Sequence, residues 1–356
     1  MNILITGGTG FLGTHLVPLL RAQGHALTLI SRSKPPAAWS QGEHPVRHVQ
    51  ADLKNREAVR DSLRGVEAIF HLAGLVSFKN EDGRKMYELH VDCTRELLRD
   101  VRTLGTKPRI ILMSTSGTIA VSKEERVGTE ADDYPIETVG RWPYYLSKIY
   151  EEKLALEFCK KEGIPLVVLN PSLLMGPGDD RLSSTWTVAK FLQRDIPAMP
   201  GGGMSFVDAR DVAQAAVNAL TRGELYGRHL MGLNFSMKDF FGRLERLTGV
   251  AAPRVKLNKQ LNILGAYALE QVAKWRGEKP TLDPQEVEVG EHWFWCDSTK
   301  AEQQLGFVAR DPYETLHDTV KYVMGKLPPG ELPGLKGELR KKGTGYFSPS
   351  SAELNA

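Results

Sequence analysis

The feature that most constrains the fold of this chain is a glycine-rich turn between its first predicted strand and its first predicted helix. The apolar run Asn2–Thr6 leads into Gly7, Gly10 and Gly13, which are spaced three residues apart, and an amphipathic segment follows. Glycine permits the backbone angles and the close approach that a sharp turn needs, and the free N–H groups of the helix can then face an anion. At the start of a βα unit, this spacing predicts a binding site for the phosphates of a dinucleotide.

Short apolar runs alternate with helical patterns through the first half of the chain. Strands are predicted at residues 2–6, 26–31, 46–51, 68–72, 109–114 and 166–170, and helices at residues 11–23, 56–64, 84–104 and 144–162. The strands are rich in Ile, Val and Leu, which is typical of strands that are buried on both faces. The alternation predicts an α/β fold with a Rossmann-type, doubly wound parallel sheet.

The pattern loosens after residue 170, where proline and glycine become frequent. Further helices are predicted at residues 208–219, 237–247, 261–275, 299–306 and 314–323, and no long strands are expected there. We predict a Rossmann domain of residues 1–170 with about 206–235, and a smaller, mostly helical C-terminal substrate lobe of about 171–205 with 236–324. Residues 325–356 carry few large apolar side chains and are predicted to form a flexible tail.

Charge and cysteine content exclude several classes of protein. The net charge of +3 is too small to favour nucleic acid as a partner. Cys93, Cys159 and Cys296 are far apart in the sequence, so we expect no disulfide framework, and no tight spacing of histidines predicts a metal site. No apolar run is long enough for a membrane span and the N-terminus is unlike a signal peptide, so we expect a cytoplasmic protein.

The end of the second predicted strand indicates which dinucleotide binds. A site for NAD usually carries an acidic residue there to accept the ribose hydroxyls, and none is present. Arg32 and Lys34 occupy this region instead, where a guanidinium could bind a 2′-phosphate through two hydrogen bonds. We therefore predict NADP(H) as the cofactor. The alternative is NAD(H), with Arg32 covering the adenine ring.

A tyrosine–lysine pair supplies the candidate chemistry. Tyr144 and Lys148 are four residues apart in a predicted helix, so they share one face. A free phenol has a pKa of roughly 10 and is a poor proton shuttle at neutral pH, and a neighbouring ammonium is expected to lower that pKa. The pair could then move a proton to a carbonyl, or from an alcohol, as a hydride is transferred. Tyr145 also lies near Lys148 and is a rival.

These motifs, in this order, resemble those of the extended short-chain dehydrogenase/reductase family. The resemblance spans about residues 1–323 and lies in I-T-G-G-T-G-F-L-G at residues 5–13, Asp52 and Leu53, H-L-A-G at 71–74, and Tyr144, Ser147 and Lys148. It implies that Tyr144 is the catalytic tyrosine and that Lys148 also binds the nicotinamide ribose. Together with the charge argument, it predicts cofactor contacts from Gly7, Thr9, Gly10, Phe11, Leu12, Gly13, Arg32, Lys34, Asp52, Leu53, Leu72, Ala73, Gly74, Ser114, Tyr144, Lys148, Pro171 and Ser172.

A third catalytic group is expected at the end of the fifth strand. Aligning residues 114–118 with the family's serine-rich segment assigns the binding of the substrate oxygen to Ser116, with Thr115 and Ser114 as rivals. The sequence departs from the family pattern at His90, where an asparagine often supports the active site. The hydrogen bonding around that position is therefore left open.

The combined features predict an NADP(H)-dependent carbonyl reductase or alcohol dehydrogenase. The resemblance is to the dihydroflavonol-reductase-like and 3β-hydroxysteroid-dehydrogenase-like branches, and a hydrophobic ketone or secondary alcohol is the expected substrate. Large apolar side chains of the second lobe, some of which should line its pocket, are Met175, Leu182, Trp186, Phe191, Met199, Met204, Tyr267, Trp275, Trp293, Phe294 and Trp295.

Two other functions stay open. One is a nucleotide-sugar epimerase or dehydratase that retains NAD, although a dehydratase would want an acidic residue where Gly117 stands. The other is a dinucleotide-sensing protein without turnover, which would not need the Ser-Tyr-Lys set. The resemblance also implies a homodimer that forms through the predicted helices at residues 84–104 and 144–162.

Overall fold

The computed structural model describes residues 1–277 and 283–327. The strands are β1 (Asn2–Thr6), β2 (Ala26–Ser31), β3 (Arg47–Gln50), β4 (Ala68–His71), β5 (Arg109–Met113), β6 (Val127–Gly128), β7 (Leu166–Pro171), β8 (Leu173–Met175), β9 (Gly203–Asp208), β10 (Arg228–Met231), β11 (Leu233–Ser236) and β12 (Trp295–Cys296). The α-helices are α1 (Phe11–Ala22), α2 (Arg56–Ser62), α3 (Gly83–Tyr87), α4 (Cys93–Arg102), α5 (Ile136–Val139), α6 (Pro143–Glu162), α7 (Trp186–Gln193), α8 (Ala209–Asn218), α9 (Met237–Thr248), α10 (Lys259–Arg276), α11 (Pro284–Gly290), α12 (Thr299–Leu305) and α13 (Pro312–Lys326).

Seven parallel strands form the main sheet, in the order β10-β7-β5-β4-β1-β2-β3. The chain builds outward from β1 in one direction through β2 and β3, and in the other through β4, β5, β7 and β10. This reversal creates a crevice beyond the carboxyl ends of β1 and β4, which is where ligands bind in such sheets. The predicted doubly wound α/β fold is confirmed.

The apolar strands pair with helices on both faces of the sheet. In β1, Ile3 and Ile5 belong to the core beneath α1 and α8, whereas Leu4 belongs to the core beneath α2, α4 and α6. Alternate residues of a strand point to opposite faces, so a continuous apolar run is what a strand covered on both sides requires. Leu16 and Val212 are typical of the first core, and both are fully buried.

The predicted helix at residues 84–104 is interrupted. The structure has α3, then a π-helical segment at Glu88–Asp92, and then α4. The interruption contains His90, whose ring is fully buried against α6. The wider turn of a π-helix is often found at functional sites. The apolar periodicity does not reveal this segment, because it contains no glycine or proline that would mark an interruption of the helix.

The chain after residue 170 contains more strand than the sequence predicts. Strands β8, β9 and β11 form a three-stranded sheet, and β9 is six residues long and buried throughout. Phe206 of β9 packs on Phe235 and Phe240. The strand was missed because the prolines and glycines that precede it suggested irregular chain. Helix α7 was also not predicted.

Acidic residues at the start of α8 fix the helix and bind the segment that precedes α13. Asp208 caps the helix by accepting from the backbone N–H of Arg210, and Asp211 accepts from the Arg310 backbone at 2.9 Å and from its guanidinium at 2.8 Å. The predicted tail begins too early, because α13 continues through Lys326. The rest of that prediction, residues 328–356, lies outside the described residues.

Candidate active site

The glycine-rich turn is shaped by close approach of the backbone. Gly7 has φ of +72°, and a Cβ placed on it would lie 2.6 Å from the Cα of Ala73. A Cβ on Gly13 would lie 2.2 Å from the carbonyl oxygen of Gly8. Helix α1 begins after Gly10 without a side-chain cap, and its first turn carries no acidic residue. Its N–H groups therefore stay available for an anion, as a dinucleotide pyrophosphate requires.

A single cavity of about 1280 Å³ runs from this turn to the start of α6. It is lined by nearly every residue that the sequence assigned to the site: Gly7, Thr9, Gly10, Phe11, Leu12, Gly13, Arg32, Asp52, Leu53, Leu72, Ala73, Gly74, Ser114, Ser116, Tyr144, Lys148, Pro171 and Ser172. Lys34 is the exception, since it is exposed and does not line the cavity. Lys54 lines it instead, because β3 runs beside β2 and brings its following loop to the same edge.

Arg32 brings an unpaired positive charge to the cavity. Its guanidinium is exposed, and no carboxylate within the described residues pairs with it. The Ser172 hydroxyl also has no hydrogen bond, but it is fully buried and lies against Gly232, so it is not open to the cavity. The glycine cradle and the unpaired Arg32 together fit a dinucleotide.

Helix α6 places Tyr144 and Lys148 at the cavity wall. Pro143 occupies the first turn of the helix, where the backbone N–H that proline lacks would have no partner within the helix. The Lys148 ammonium donates to the Met113 carbonyl oxygen at 2.8 Å and to the buried carboxylate of Glu151. Helix α6 thus supplies both the tyrosine and the lysine, and the end of β5 supplies the carbonyl oxygen that holds the lysine.

The expected lowering of the Tyr144 pKa is not found. Burial raises the pKa of the Tyr144 phenol, the nearby Glu151 carboxylate raises it further, and a hydrogen bond with Thr115 acts in the opposite direction. The expectation was wrong mainly because the phenol is buried, and the ammonium of Lys148 is paired with Glu151. The structure therefore keeps the phenol protonated.

The three hydroxyl groups after β5 have different surroundings. Ser114 donates to the Glu152 carboxylate, and Thr115 accepts from the backbone N–H of Gly117 at 3.3 Å. The Ser116 hydroxyl lines the cavity and makes no hydrogen bond within residues 1–277 and 283–327. Of the three candidates, Ser116 is therefore the one whose hydroxyl is available to a ligand.

Two buried glutamates were missed by the sequence analysis. Glu151 and Glu152 are both fully buried on α6. Glu152 accepts from Thr118 at 3.0 Å and from the Asn170 amide at 2.8 Å, in addition to Ser114, so it ties the ends of β5 and β7 to α6. Their positions three and four residues after Lys148 place them near its helix face, and this spacing was the signal available in the sequence.

A chain of buried hydrogen bonds connects β1 to Lys148. His71 bonds Thr6 at 2.7 Å and Thr94 at 2.8 Å, and Thr94 donates to Glu151 at 3.2 Å. Burial lowers the pKa of His71 to about 3, and the positive charge of Lys148 acts in the same direction. Burial raises the pKa of Glu151, partly offset by Lys148.

His90 resolves the departure from the family pattern. Its Nε2 accepts from the Leu75 backbone N–H at 3.0 Å, so the proton of the neutral ring is assigned to Nδ1, which faces the Ser147 hydroxyl at 2.8 Å. Burial keeps the His90 pKa well below its usual value. The ring also packs edge-on against Tyr144, with centroids 6.0 Å apart, so His90 supports the tyrosine from the π-helical segment.

The pKa of His71 predicts acid sensitivity. In the unfolded chain the His71 imidazole gains a proton near pH 6.5, whereas in the folded chain it does so only near pH 3. The free energy of unfolding therefore decreases as pH falls between these two values, by roughly 1.4 kcal/mol per pH unit. His71→Asn should therefore reduce this loss of stability by about 2 kcal/mol between pH 6.5 and pH 5. Urea unfolding at both pH values measures this. His44→Asn, at an exposed histidine, is the control, and equal slopes for the two variants would contradict the prediction.

The large apolar side chains of the second lobe divide into three groups. Those that line the cavity are Leu182, Trp186, Met204 and Phe294. Met175, Phe191 and Met199 pack in the core of the lobe, and Trp293 packs on Trp295 with ring centroids 4.6 Å apart. Tyr267 and Trp275 do neither, since both are exposed on α10.

Other candidate chemistries find little support in the described residues. All three cysteines are free and buried, and burial raises the pKa of Cys93 to about 11. The described part of the chain has no group of three His, Cys, Asp or Glu side chains that could hold a metal ion. Among its helices, none combines the length and hydropathy needed to cross a bilayer.

Known proteins resemble the chain over most of its length. Residues 3–230 match the sequence model of the NAD dependent epimerase/dehydratase family. A putative dihydroflavonol 4-reductase of Synechocystis is 29% identical over 89% of this chain and 93% of its own length. Sterol demethylase protein B of Methylococcus capsulatus is 27% identical over 90% and 98%. The structure of a Bacillus cereus UDP-glucuronic acid 4-epimerase in complex with NAD shares the fold, with a TM-score of 0.70 and 19% identity, over 92% of this chain and 100% of that one.

Proposed function

Because the chain belongs to the NAD dependent epimerase/dehydratase family, within the extended short-chain dehydrogenases/reductases, we propose that this NAD(P)-dependent enzyme is an NADP(H)-dependent carbonyl reductase or alcohol dehydrogenase. Its substrate is a hydrophobic ketone or secondary alcohol. The observation that carries this proposal is the shared cavity: the glycine turn, Tyr144, Lys148 and Ser116 line one continuous space. A dinucleotide and a substrate can therefore meet at the tyrosine.

The chain's own residues supply proton transfer and orientation. When bound, the nicotinamide supplies the hydride for reduction or accepts it in oxidation. The Ser116 hydroxyl donates a hydrogen bond to the substrate oxygen, and Tyr144 donates the proton to it. The raised pKa of Tyr144 suits this role, because it keeps the proton in place until the oxygen gains charge. Lys148 is fixed by Glu151 and the Met113 carbonyl, so its ammonium needs little reorganisation.

Arg32 supports NADP(H) over NAD(H). It follows β2, lines the cavity and has no carboxylate partner within the described residues. Asp52 also lines the cavity, but its side chain accepts from the backbone N–H of Lys54 at 2.9 Å. A free guanidinium is well suited to a 2′-phosphate.

Substitution of Arg32 separates the two cofactors. Arg32→Ala should weaken NADPH binding by about 10- to 100-fold, which corresponds to losing a charged hydrogen bond of about 1.5–3 kcal/mol, and leave NADH binding unchanged. Lys34→Ala is the matched control, because Lys34 does not line the cavity. Fluorescence titration with each cofactor measures both affinities. An equal loss for NADPH and NADH would oppose the assignment of Arg32.

The substrate end of the cavity carries several large apolar side chains. Trp186, Met204, Phe241 and Phe294 line it, and they favour a hydrophobic substrate through the area they remove from water. The names of two relatives, a putative dihydroflavonol 4-reductase and a sterol demethylase protein, also support a hydrophobic substrate. Lys190 also lines this region, but it is paired with Glu286.

The rival dehydratase chemistry is opposed by local packing. A Cβ at Gly117 would lie 2.1 Å from the ring of Tyr145, so an acidic side chain next to Ser116 would not fit without moving that ring. The epimerase alternative differs in cofactor handling, because it retains NAD through each cycle.

The proposal is tested by following NADPH oxidation with a panel of hydrophobic ketones, and by assaying the same preparation for epimerisation of UDP-glucose. We expect cofactor-dependent ketone reduction and no epimerisation. Tightly retained NAD with epimerisation would replace this function by the alternative, and NADPH binding without turnover of any ketone would favour the sensing protein.

We also propose a homodimer and a cytoplasmic location. Tyr87 and Tyr150 are exposed beside each other on the predicted dimer face, with ring centroids 6.2 Å apart, and aromatic side chains are enriched at interfaces. Free cysteines suit a reducing compartment.

A further inference from the structure

Helix α10 lies almost entirely outside the core of the protein. Of its 18 residues, Ala266 is buried, while Leu264 is 65% exposed and Trp275 is 86% exposed. Leu261 and Val272 are also exposed large apolar residues. Exposed apolar side chains scattered singly are ordinary, but a concentration on one helix marks an interaction surface.

Five of the exposed residues form a stripe along the helix, and the exposed Tyr267 and Leu269 lie on either side of it. At 100° per residue, Leu261, Leu264, Ala268, Val272 and Trp275 fall on one side, which we call the outer stripe. It is about 21 Å long at 1.5 Å per residue. The buried Ala266 lies on the opposite side, so the stripe faces away from the protein.

Contacts on the inner side fix this orientation. The Asn262 amide donates to Glu291 at 2.6 Å, and the Lys259 ammonium lies 3.4 Å from the His292 ring nitrogen. Both partners follow α11. The helix is therefore anchored by polar contacts on one side, while its apolar residues face solvent.

The charges around the stripe are almost all positive. Residues 254–276 contain five basic residues and one acidic residue, a net charge of +4, whereas the whole chain carries only +3. The single acid, Glu270, is paired with Lys274 at 2.8 Å. Arg254 and Lys256 lie near the start of the outer stripe and Lys274 and Arg276 near its end, while Lys259 lies on the inner side.

We propose that the outer stripe of α10 binds the surface of an anionic lipid bilayer. An apolar stripe with Leu and Trp, flanked by Lys and Arg, is the pattern of helices that lie in the membrane interface, and clustered basic residues are attracted to anionic headgroups. Docking to a second copy is disfavoured, because a symmetric contact would bring two segments of charge +4 together. The proposal concerns contact with one surface of the bilayer and requires no span.

This interaction goes beyond the proposed function and does not depend on it. It would also affect how a substrate reaches the cavity, because Asn262 on the inner side of α10 lines that cavity. The lipid surface would then lie about one helix diameter, roughly 10 Å, from the cavity wall. A substrate dissolved in the bilayer could be taken up close to where it resides.

The test is co-sedimentation of the full chain with vesicles of phosphatidylglycerol and phosphatidylcholine, compared with phosphatidylcholine alone. We expect binding to the anionic vesicles that weakens as salt is raised, and a loss of at least about 10-fold in the variant Leu264→Ser/Trp275→Ser, since it removes two of the largest apolar contacts. Val308→Ser is the matched control, because Val308 is 77% exposed on another surface. Thermal unfolding verifies that all variants remain folded.

Two results would overturn the proposal. The first is absence of binding to both vesicle types, or equal binding of the parent protein and the double variant. The second is a dimer in sedimentation velocity that the double variant abolishes while vesicle binding is absent, which would assign the stripe to a second copy. NADPH binding, measured in parallel, reports on the proposed function independently.

Discussion

The Tyr144→Phe variant should reduce ketones about 100- to 10,000-fold more slowly than the parent enzyme, because it removes the group that donates the proton. Phenylalanine keeps the ring that packs on His90 and Tyr145, so the fold and NADPH affinity should not change. The loss should therefore appear in kcat. Steady-state kinetics and an NADPH titration measure the two quantities separately.

Tyr145→Phe is the matched control for this variant. Tyr145 also lines the cavity, and its ring packs against Trp142 and Phe294, so it shares the surroundings of Tyr144 without the contact to Thr115. We expect this variant to keep most of its activity. If Tyr145→Phe were the inactive variant and Tyr144→Phe the active one, the choice of catalytic tyrosine would be reversed.

The Lys148→Met variant should lose activity and become markedly less stable at pH 8. It leaves the fully buried Glu151 carboxylate without its ammonium, and breaking a buried ion pair from one side costs about 3–5 kcal/mol. The pKa of Glu151 is already raised above 4.5 by burial, and loss of Lys148 raises it further. An acid with a raised folded pKa stabilises the fold below its unfolded pKa and loses that contribution as pH increases. The stability deficit relative to the parent should therefore be smaller at pH 5 than at pH 8.

A second substitution distinguishes the structural loss from the chemical one. In Lys148→Met/Glu151→Gln, no charge is buried without a partner, and the amide oxygen can still accept from Thr94. We expect stability at pH 8 to recover most of its loss while activity stays absent. Urea unfolding at pH 5 and pH 8 measures the deficit. A deficit that is independent of pH and is not restored by the second substitution would show that the ion pair is not its cause.

Local sequence patterns were sufficient to predict the parts of the site that the chain forms within itself. The glycine spacing at residues 7–13 predicts the turn because only glycine tolerates the close approach at Gly7 and Gly13. The four-residue spacing of Tyr144 and Lys148 predicts their shared helix face. The alternation of apolar runs and helices predicts the parallel sheet, since each strand must be covered on both faces.

Other features of the site were decided by contacts between distant segments. The pairing of β3 with β2 determines that Lys54 lines the cavity and Lys34 does not. Tertiary contacts place Glu151 beside His71 and Thr94 and pair it with Lys148. Burial of the Tyr144 phenol then raises its pKa, opposite to the expectation from spacing alone.

The amino-acid sequence by itself determined the type of fold, the phosphate-binding turn and the tyrosine–lysine pair, because each depends on the conformation of a few neighbouring residues. Only the tertiary structure decided which charges are buried, which hydroxyl is available and which apolar helix face stays exposed. An apolar stripe such as that of α10 has the same pattern whether it packs in a core or faces solvent. Desolvation and pairing depend on what the rest of the chain brings to each side chain, and no local pattern contains that information.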